Sequence, residues 1–520
     1  MAISTVSEKW NCDRYSFALE NLYRPLPVKT VLVGTMLKAN ERSKVPLFED
    51  VATRLIQMID SGALAVGSRA PSVRALSAQL KVSISTVIAA YRLLEDRGRL
   101  QARPQSGFYV RALRRENIAE PQMSRPPETA SAVTVADLRL LLLTEFGQPG
   151  VIALGASNGA VSDWSTKAVH SLMNSISRSQ PLQSAAYAPP AGMPSLRRQV
   201  ARWYVRAGCA LSPDDIVITC GALEAIHLCL RAVTQPGDTI ALESPTYWGI
   251  LQTIEMLGVK ALEIPTHPRT GPSMDALEVV LNQNLVKAVV LIPTVHNPLG
   301  CIMPEEHRRR LVAMTRNANV ALIEDDIYAD LGYAPTRPRA CRSYDSSPSA
   351  GSHVMVCGGF SKTIAPSLRI GWCVPGKWIK EVNRSKAWLN IAAPTLPQLA
   401  LAQFMENGGY ERHLRKVTAI YRRQVERMSE LLAEHFPHGT RITRPQGGFL
   451  LWAQLPERID SVDLHHRAIQ AGISICPGIV FSATGKYRNC IRINCGLLWT
   501  PQVEQAIPTL GKLIAIRGNG

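Results

Sequence analysis

The sequence predicts an α/β chain in two unequal domains, and three observations predict it. From about Val133 onward, short apolar β-branched runs alternate with helical patterns, as in Ile216-Val217-Ile218-Thr219, Ala288-Val289-Val290-Leu291-Ile292 and Val320-Ala321-Leu322-Ile323. Buried strands alternating with helices imply a mostly parallel sheet. Ahead of them, residues 44–111 carry three short helical patterns and then a hairpin pattern. Between the two, residues 112–132 are polar and proline-bearing (Pro121, Pro126, Pro127), the pattern of a linker. A chain of 520 residues exceeds one small core, so residues 133–520 are expected to hold a large and a small subdomain. Residues 1–43 stay unassigned, with Val31-Leu32-Val33 as their short apolar run.

Composition narrows the function classes. The chain is 46% hydrophobic and 19% charged, with mean hydropathy +0.00, which is globular. No apolar run of roughly 18 residues predicts a membrane span, and the start lacks a secretory pattern, so the cytoplasm is expected. The eleven cysteines are odd in number and scattered without zinc spacing, which predicts reduced, mostly buried thiols and no metal site. Net charge is +17, a balance that fits a polyanionic partner. Its distribution says more: from Lys44 to Arg115 there are 12 Lys/Arg against 5 Asp/Glu, 12 − 5 = +7.

In that basic stretch, Val51, Leu55, Met58 and Ile59 recur at helical spacing from Leu47 to Ser61, and Gly62 suits the C-terminal cap. Ser72 can cap a short helix running to Leu80, and Ser83 a third whose buried stripe is Val87, Ala90, Tyr91 and Leu94, closed by Gly98. Leu100 to Val110 reads as two strands around Pro104-Gln105-Ser106-Gly107. Three helices and such a wing make a winged helix-turn-helix, whose last helix enters the major groove of double-stranded DNA. Ser85, Thr86 and Ala89 lie off the buried stripe and are expected to face the groove, with Arg74 and Arg103 neutralising phosphates.

The large domain offers reactive side chains at strand ends. Lys362, in Phe360-Ser361-Lys362, follows Val354-Met355-Val356, and Arg369 comes seven residues later. Asp325 ends a buried run, Tyr328 follows it, and Asn297 stands in Asn297-Pro298-Leu299-Gly300. Strand C-terminal ends are where open α/β sheets bind ligands, and all of these are expected there. Thr219-Cys220-Gly221-Ala222-Leu223 passes from a strand into a helix, so free amides at Gly221 and Ala222 can face a phosphate. Tyr247 can stack on a ring, and Arg492 can grip a carboxylate bidentately. Pyridoxal phosphate calls for such a set: a lysine, a carboxylate for the pyridine nitrogen, donors for the phenolic oxygen and an anion cradle.

Two resemblances follow. Gly67-Ser68-Arg69-Ala70-Pro71-Ser72-Val73-Arg74-Ala75-Leu76, with Val82-Ser83, Thr86-Val87, Ala90-Tyr91, Leu94, Gly98, Leu100 and Gly107, resembles the GntR-type winged helix. Ala70 departs from the usual leucine, and Ile84 from the arginine of many relatives. Residues of about 150 to 515 resemble fold-type I aminotransferases, the α-aminoadipate and kynurenine branch above all, and Gly447-Gly448-Phe449 and Pro477-Gly478 match later landmarks. That resemblance implies Lys362 as Schiff-base lysine, Asp325 at the pyridine nitrogen, Tyr328 and Asn297 at the phenolic oxygen, and Arg369 at the phosphate. It also implies that Tyr247 stacks, Arg492 takes the substrate carboxylate, and Tyr187 reaches into a neighbouring subunit's site. Gly359 and Ala222 replace hydroxyl residues that relatives often use for phosphate. The whole arrangement resembles the MocR subgroup of GntR regulators, which implies a homodimer sensing pyridoxal phosphate, an amino compound or both. An active aminotransferase with an accessory DNA-binding domain is the alternative.

Overall fold

The computed structural model describes residues 46–60, 63–64, 68–96, 99–103, 106–110, 118–133, 151–159, 163–347 and 351–515, with single positions between 142 and 150. The expected run Val31-Leu32-Val33, the caps Gly62 and Gly98, and Pro104-Gln105 lie outside the described residues. Two compact units make up the chain, one up to Leu113 and one from Arg114.

In the first unit, α1 (Leu47–Asp60), α2 (Val73–Leu80) and α3 (Ile84–Asp96) precede the hairpin of β1 (Leu100–Arg103) and β2 (Gly107–Val110). Ser72 caps α2 as expected, its hydroxyl accepting from the Ala75 amide at 3.2 Å. Ser83 caps α3 in the same way, accepting from the Thr86 amide at 3.1 Å. Val51, Leu55, Leu76, Val87, Tyr91, Leu94, Leu100 and Val110 form one core. Tyr91 sits inside it because its hydroxyl finds the Pro71 carbonyl at 2.6 Å, which satisfies the polar tip of a buried ring.

The second unit is built on an eight-stranded sheet. Its strands are β4 (Val217–Thr219), β5 (Thr239–Ser244), β6 (Lys260–His267), β7 (Gly271–Pro272), β8 (Ala288–Leu291), β9 (Ala321–Asp325), β10 (Val354–Gly359) and β11 (Gly371–Val374). They lie in the order β4-β11-β10-β9-β8-β5-β6-β7. Only β11 and β7 run against the rest. Alternation decides which side chains meet which layer. Ile240, Leu242, Ala288 and Val290 pack with Ala225, Leu228 and Cys229 of α4 (Ala222–Val233). Their neighbours Ala241, Val289 and Leu291 pack on the other face with Leu277 and Leu311 from helices Met274–Asn282 and Glu305–Asn317.

A four-stranded antiparallel sheet holds β12 (Arg441–Ile442), β13 (Leu450–Gln454), β15 (Cys476–Pro477) and β16 (Cys490–Asn494). Beside it, β3 (Ile152–Ala153) pairs with β14 (Ile473–Ser474).

The stretch read as a linker differs from a free tether over its described part. Ser131 exchanges backbone hydrogen bonds with Ala261, the Ser124 amide donates to the Thr266 carbonyl at 3.1 Å, and Glu120 pairs with Arg269. Its polar residues therefore serve as an added edge to the large domain. Among the described residues no helix is long and apolar enough to cross a membrane, and no cluster of His, Cys, Asp or Glu is set for a metal. All ten described cysteines are free thiols, and nine are buried.

Candidate functional site

Lys362 lies three residues past the buried end of β10, where the chain turns under Phe360, a ring packed edge-on against Trp372 and Tyr410. Its Nζ donates to the Ser157 carbonyl at 2.8 Å and to the Ser157 hydroxyl at 3.1 Å. Burial brings its pKa down to about 7, and Arg492 and Arg369 act in the same direction against Asp325. Asp325 ends β9, the neighbouring strand, and is 2% exposed. Its carboxylate accepts from the Ile327 amide at 3.1 Å, the tight turn that ends the strand there. Burial lifts it to about 7, and the nearby Asp326 and Glu243 add to the lift. The two groups are tuned toward each other by the same dry surroundings.

Arg369 departs from the strand-end expectation. It precedes β11 rather than ending a strand, and reaches the same edge because β11 runs antiparallel to β10. Pro366 starts a short turn that leaves Arg369 at φ 52°, a left-handed conformation that strains a residue with a Cβ. From there its guanidinium donates to the Cys220 carbonyl at 2.9 Å, beside the start of α4. Gly221 sits at φ +90°, and a Cβ there would stand 2.8 Å from the Arg369 guanidinium. Gly371 serves the same approach, since its Cβ would lie 2.5 Å from the Gly221 carbonyl carbon. The missing serine at Gly359 has a physical reason as well: a Cβ there would meet the Gly371 Cα and the Ile370 carbonyl at 3.2 Å. The Cys220 amide is taken by the carboxylate of Glu224, itself held by Asn390 and by Lys386 at 3.2 Å. The orphan amides left for an anion are those of the helix start itself, Gly221 at the cap and Ala222 after it.

Arg492 comes from the other sheet, in the middle of β16, and is fully buried. It donates to the Gly155 carbonyl at 2.7 Å and to Asn297 Oδ1 at 3.3 Å, and no carboxylate pairs with it among the described residues. A buried guanidinium without a counter-charge is costly, and an incoming carboxylate relieves that cost. Tyr247, the residue before helix Trp248–Met256, belongs to the same cavity: burial pushes its hydroxyl up to about 12, within the fields of Arg492, Asp325 and Arg369. The buried Tyr328 hydroxyl has no partner of hydrogen-bond geometry among the described residues, with Ser157 alongside. Asn297 is held in its turn by His296, whose Nδ1 accepts from the Leu299 amide at 3.2 Å.

Six expected residues and the Gly221-Ala222 turn thus converge with Lys362. Tyr187 does not join them. It is 81% exposed and lines an open depression with Cys220, Asn390 and Thr395. Ser157 and Gly155 were missed, since they act largely through main-chain carbonyls; their signal was the turn string Gly155-Ala156-Ser157-Asn158-Gly159.

The cavity fits pyridoxal phosphate on its own terms. An amine poised near neutrality, a dry carboxyl, an idle tyrosine hydroxyl and a cradle that only glycine permits are each demands of that cofactor.

On the first unit, Ser85 is exposed and Arg74 is exposed at α2. Thr86 and Ala89 are half-buried, so they face the groove less than expected. Ser83 Oγ meets the Ser85 hydroxyl at 2.8 Å and that of Thr86 at 2.7 Å. Arg103 stacks 4.2 Å over the Tyr109 ring, which stiffens the wing. Gly107, at φ +93°, lets Arg69 approach: a Cβ would meet its Nε at 3.3 Å.

Residues 151–510 match the family of class I and II aminotransferases, and residues 47–110 match the bacterial regulatory proteins of the gntR family. The first family implies pyridoxal phosphate as cofactor, and the second implies DNA binding. HTH-type transcriptional regulator YjiR of Escherichia coli is 36% identical over 467 residues, 90% of this chain and 98% of its own length. YdcR of the same organism, also an HTH-type transcriptional regulator, is 34% identical over 90% of this chain and 99% of its own. Among solved structures, the α-aminoadipate aminotransferase LysN of Thermus thermophilus, complexed with N-(5'-phosphopyridoxyl)-L-leucine, superposes with a TM-score of 0.66 at 25% identity, over 74% of this chain and 98% of that one. Both halves agree with relatives that span nearly the whole chain: this protein belongs to the HTH-type transcriptional regulators that join a gntR-family domain to a class I and II aminotransferase domain.

Proposed function

We propose that the chain controls transcription by binding double-stranded DNA through residues 44–111, in response to pyridoxal phosphate and an amino compound held in the large domain. The observation that carries this reading is the convergence of Lys362, Asp325, Tyr328 and Arg492 in one cavity on the same chain as a winged helix. DNA as the partner puts its work in the cytoplasm.

Bound pyridoxal phosphate supplies a carbonyl carbon that bonds amines and a ring that withdraws electrons. Everything else falls to the side chains. Neutral Lys362 Nζ offers the bonding lone pair. Asp325 would face the ring nitrogen, where its carboxylate would keep the proton on that nitrogen. Tyr328 and Asn297 would donate to the phenolic oxygen, Arg369 and the amides of Gly221 and Ala222 would hold phosphate, and Tyr247 would cover the ring. Arg492 orients the amino compound by its carboxylate. Tyr187, exposed on this chain, completes the site of a partner subunit in a homodimer.

The intact set of Lys362, Asp325 and Arg492 favours a second reading, a working aminotransferase with an accessory DNA-binding domain. One experiment separates them. Purified full-length chain is offered genomic fragments at several salt concentrations, with Arg103→Ala alongside. The proposal expects retention that weakens steeply with salt, and a slope shallower by about 1 in the variant, because one phosphate contact is gone. Absence of DNA retention, together with rapid conversion of an amino acid and a 2-oxo acid, would establish the enzyme instead.

A further inference from the structure

The most exposed large side chains at the start of α3 are apolar. Ile84 is 48% exposed and Ile88 is 38% exposed, at the rim of the stripe formed by the buried Val87, Ala90, Tyr91 and Leu94. Single exposed apolar residues need no explanation. This pair is different because of its spacing and its place. Residues four apart stand one above the other on a helix face. They open the helix that, in this motif, enters the major groove by its N-terminal residues.

The neighbouring polar groups leave the apolar pair as the distinctive feature. The hydroxyls of Ser83, Ser85 and Thr86 are tied together at 2.7–2.8 Å. The same unit carries Arg74 and Arg103, within a stretch of net charge +7 (12 Lys/Arg, 5 Asp/Glu). The surround thus attracts a polyanion, while the centre has no charge or amide with which to read guanine or adenine by hydrogen bonds. In the major groove one apolar feature distinguishes a base, the C5-methyl of thymine.

We propose that Ile84 and Ile88 read thymine methyl groups, so that this protein's operator carries thymine at the positions facing them. The proposal rests on the DNA-binding reading and deepens it. Four residues of helix rise about 6 Å, against a base step of about 3.4 Å. The two methyls should therefore lie within about two base steps of each other. Each covers roughly one methylene equivalent of apolar surface, so its loss should weaken binding about fourfold.

The test starts from full-length protein and a pool of random duplex DNA, enriched by repeated binding. In the recovered site, each thymine is replaced by deoxyuridine, which pairs identically and lacks only the methyl. Wild-type affinity should fall about fourfold at one or two such positions, and Ile84→Ala and Ile88→Ala should each become indifferent to one of them. Both variants alter exposed residues, so circular dichroism and thermal unfolding should match wild type. Enrichment of a site whose deoxyuridine forms bind as tightly as the parent would overturn the proposal while leaving DNA binding intact. So would a methyl effect that survives in both alanine variants. Recovery of no DNA would overturn the DNA-binding reading, and this proposal with it. If exposure of the pair instead serves a protein partner, both alanine variants bind DNA like wild type, which also overturns it.

Discussion

Lys362 owes its reactivity to its surroundings: burial, with Arg492 and Arg369 nearby, brings its amine down to about 7. Its place after a strand was legible, as was its company with Asp325 and Arg369, because strands and turns leave periodic marks. Its proton affinity was not, since that depends on what buries it. The fold brings Arg492 from a distant strand and Gly155 and Ser157 from a turn, and none of this leaves a pattern near residue 362. The consequence can be measured. A lysine with the ordinary value of 10.5 is neutral in only about 3 in 10,000 molecules at pH 7, whereas one at about 7 is half neutral. Only the neutral amine bonds a carbonyl carbon. Protein freed of cofactor should therefore acquire its visible absorbance on mixing with pyridoxal phosphate at a rate that rises through pH 7 and then levels. Stopped-flow mixing from pH 5.5 to 9.5 reads this directly, and a rate still climbing at 9.5 would contradict the burial argument. Arg492 lowers the Lys362 value, so Arg492→Gln should move the midpoint up. Asp325 raises it, so Asp325→Asn should move it down. Lys362→Ala should show no such band at any pH.

Elements were legible where side chains carry the period and obscure where backbone does the joining. The buried stripe of α3 and the alternation of β5 and β8 across two cores are properties of side chains, and the sequence displays them. The segment from 118 to 133 looked like a tether because its attachments to Ala261 and Thr266 are largely main-chain hydrogen bonds. The phosphate cradle is intermediate. Its strand-turn-helix outline was visible, but not that Glu224 occupies the Cys220 amide, nor that Gly359 and Gly371 must be small for β10, β11 and α4 to meet. This geometry predicts what one methyl group does. In Gly221→Ala the new Cβ meets the Arg369 guanidinium at 2.8 Å, and the backbone is forced to hold φ +90° with a side chain. Arg369 must withdraw from the anion. Pyridoxal phosphate should then lose its advantage over pyridoxal, with the ratio of their affinities falling tenfold or more by absorbance titration. An unchanged ratio would mean that the phosphate is held elsewhere. At the other unit, Ser72→Ala removes the α2 cap and should cost about 1 kcal/mol of stability.

At the scale of the whole molecule, the proposal is that two sites on one chain share a free energy. Tyr187 makes the homodimer testable first. Lys362→Ala chains mixed with Tyr187→Ala chains would form hybrids in which one site regains both residues, so cofactor affinity absent from either parent should return. Coupling to DNA then follows from linkage. If an amino compound, seated with its carboxylate on Arg492, changes the affinity for operator by some factor, operator must change the affinity for that compound by the same factor. Couplings of this kind are typically about 1–3 kcal/mol, or roughly 5–150-fold. The measurement is a titration of candidate amino acids, followed by the change in visible absorbance, with and without saturating operator. It is paired with operator titrations with and without each amino acid. The two factors should agree for any ligand that alters the band, and both should vanish in Lys362→Ala, which still carries its winged helix. Arg492→Gln should weaken the response to amino acids while sparing the response to cofactor alone, because only the former presents a carboxylate. A ligand that plainly alters the band yet leaves both curves unmoved by DNA would separate the two halves. The large domain would then serve as an enzyme or as the means of dimerisation, and the winged helix would act without its advice.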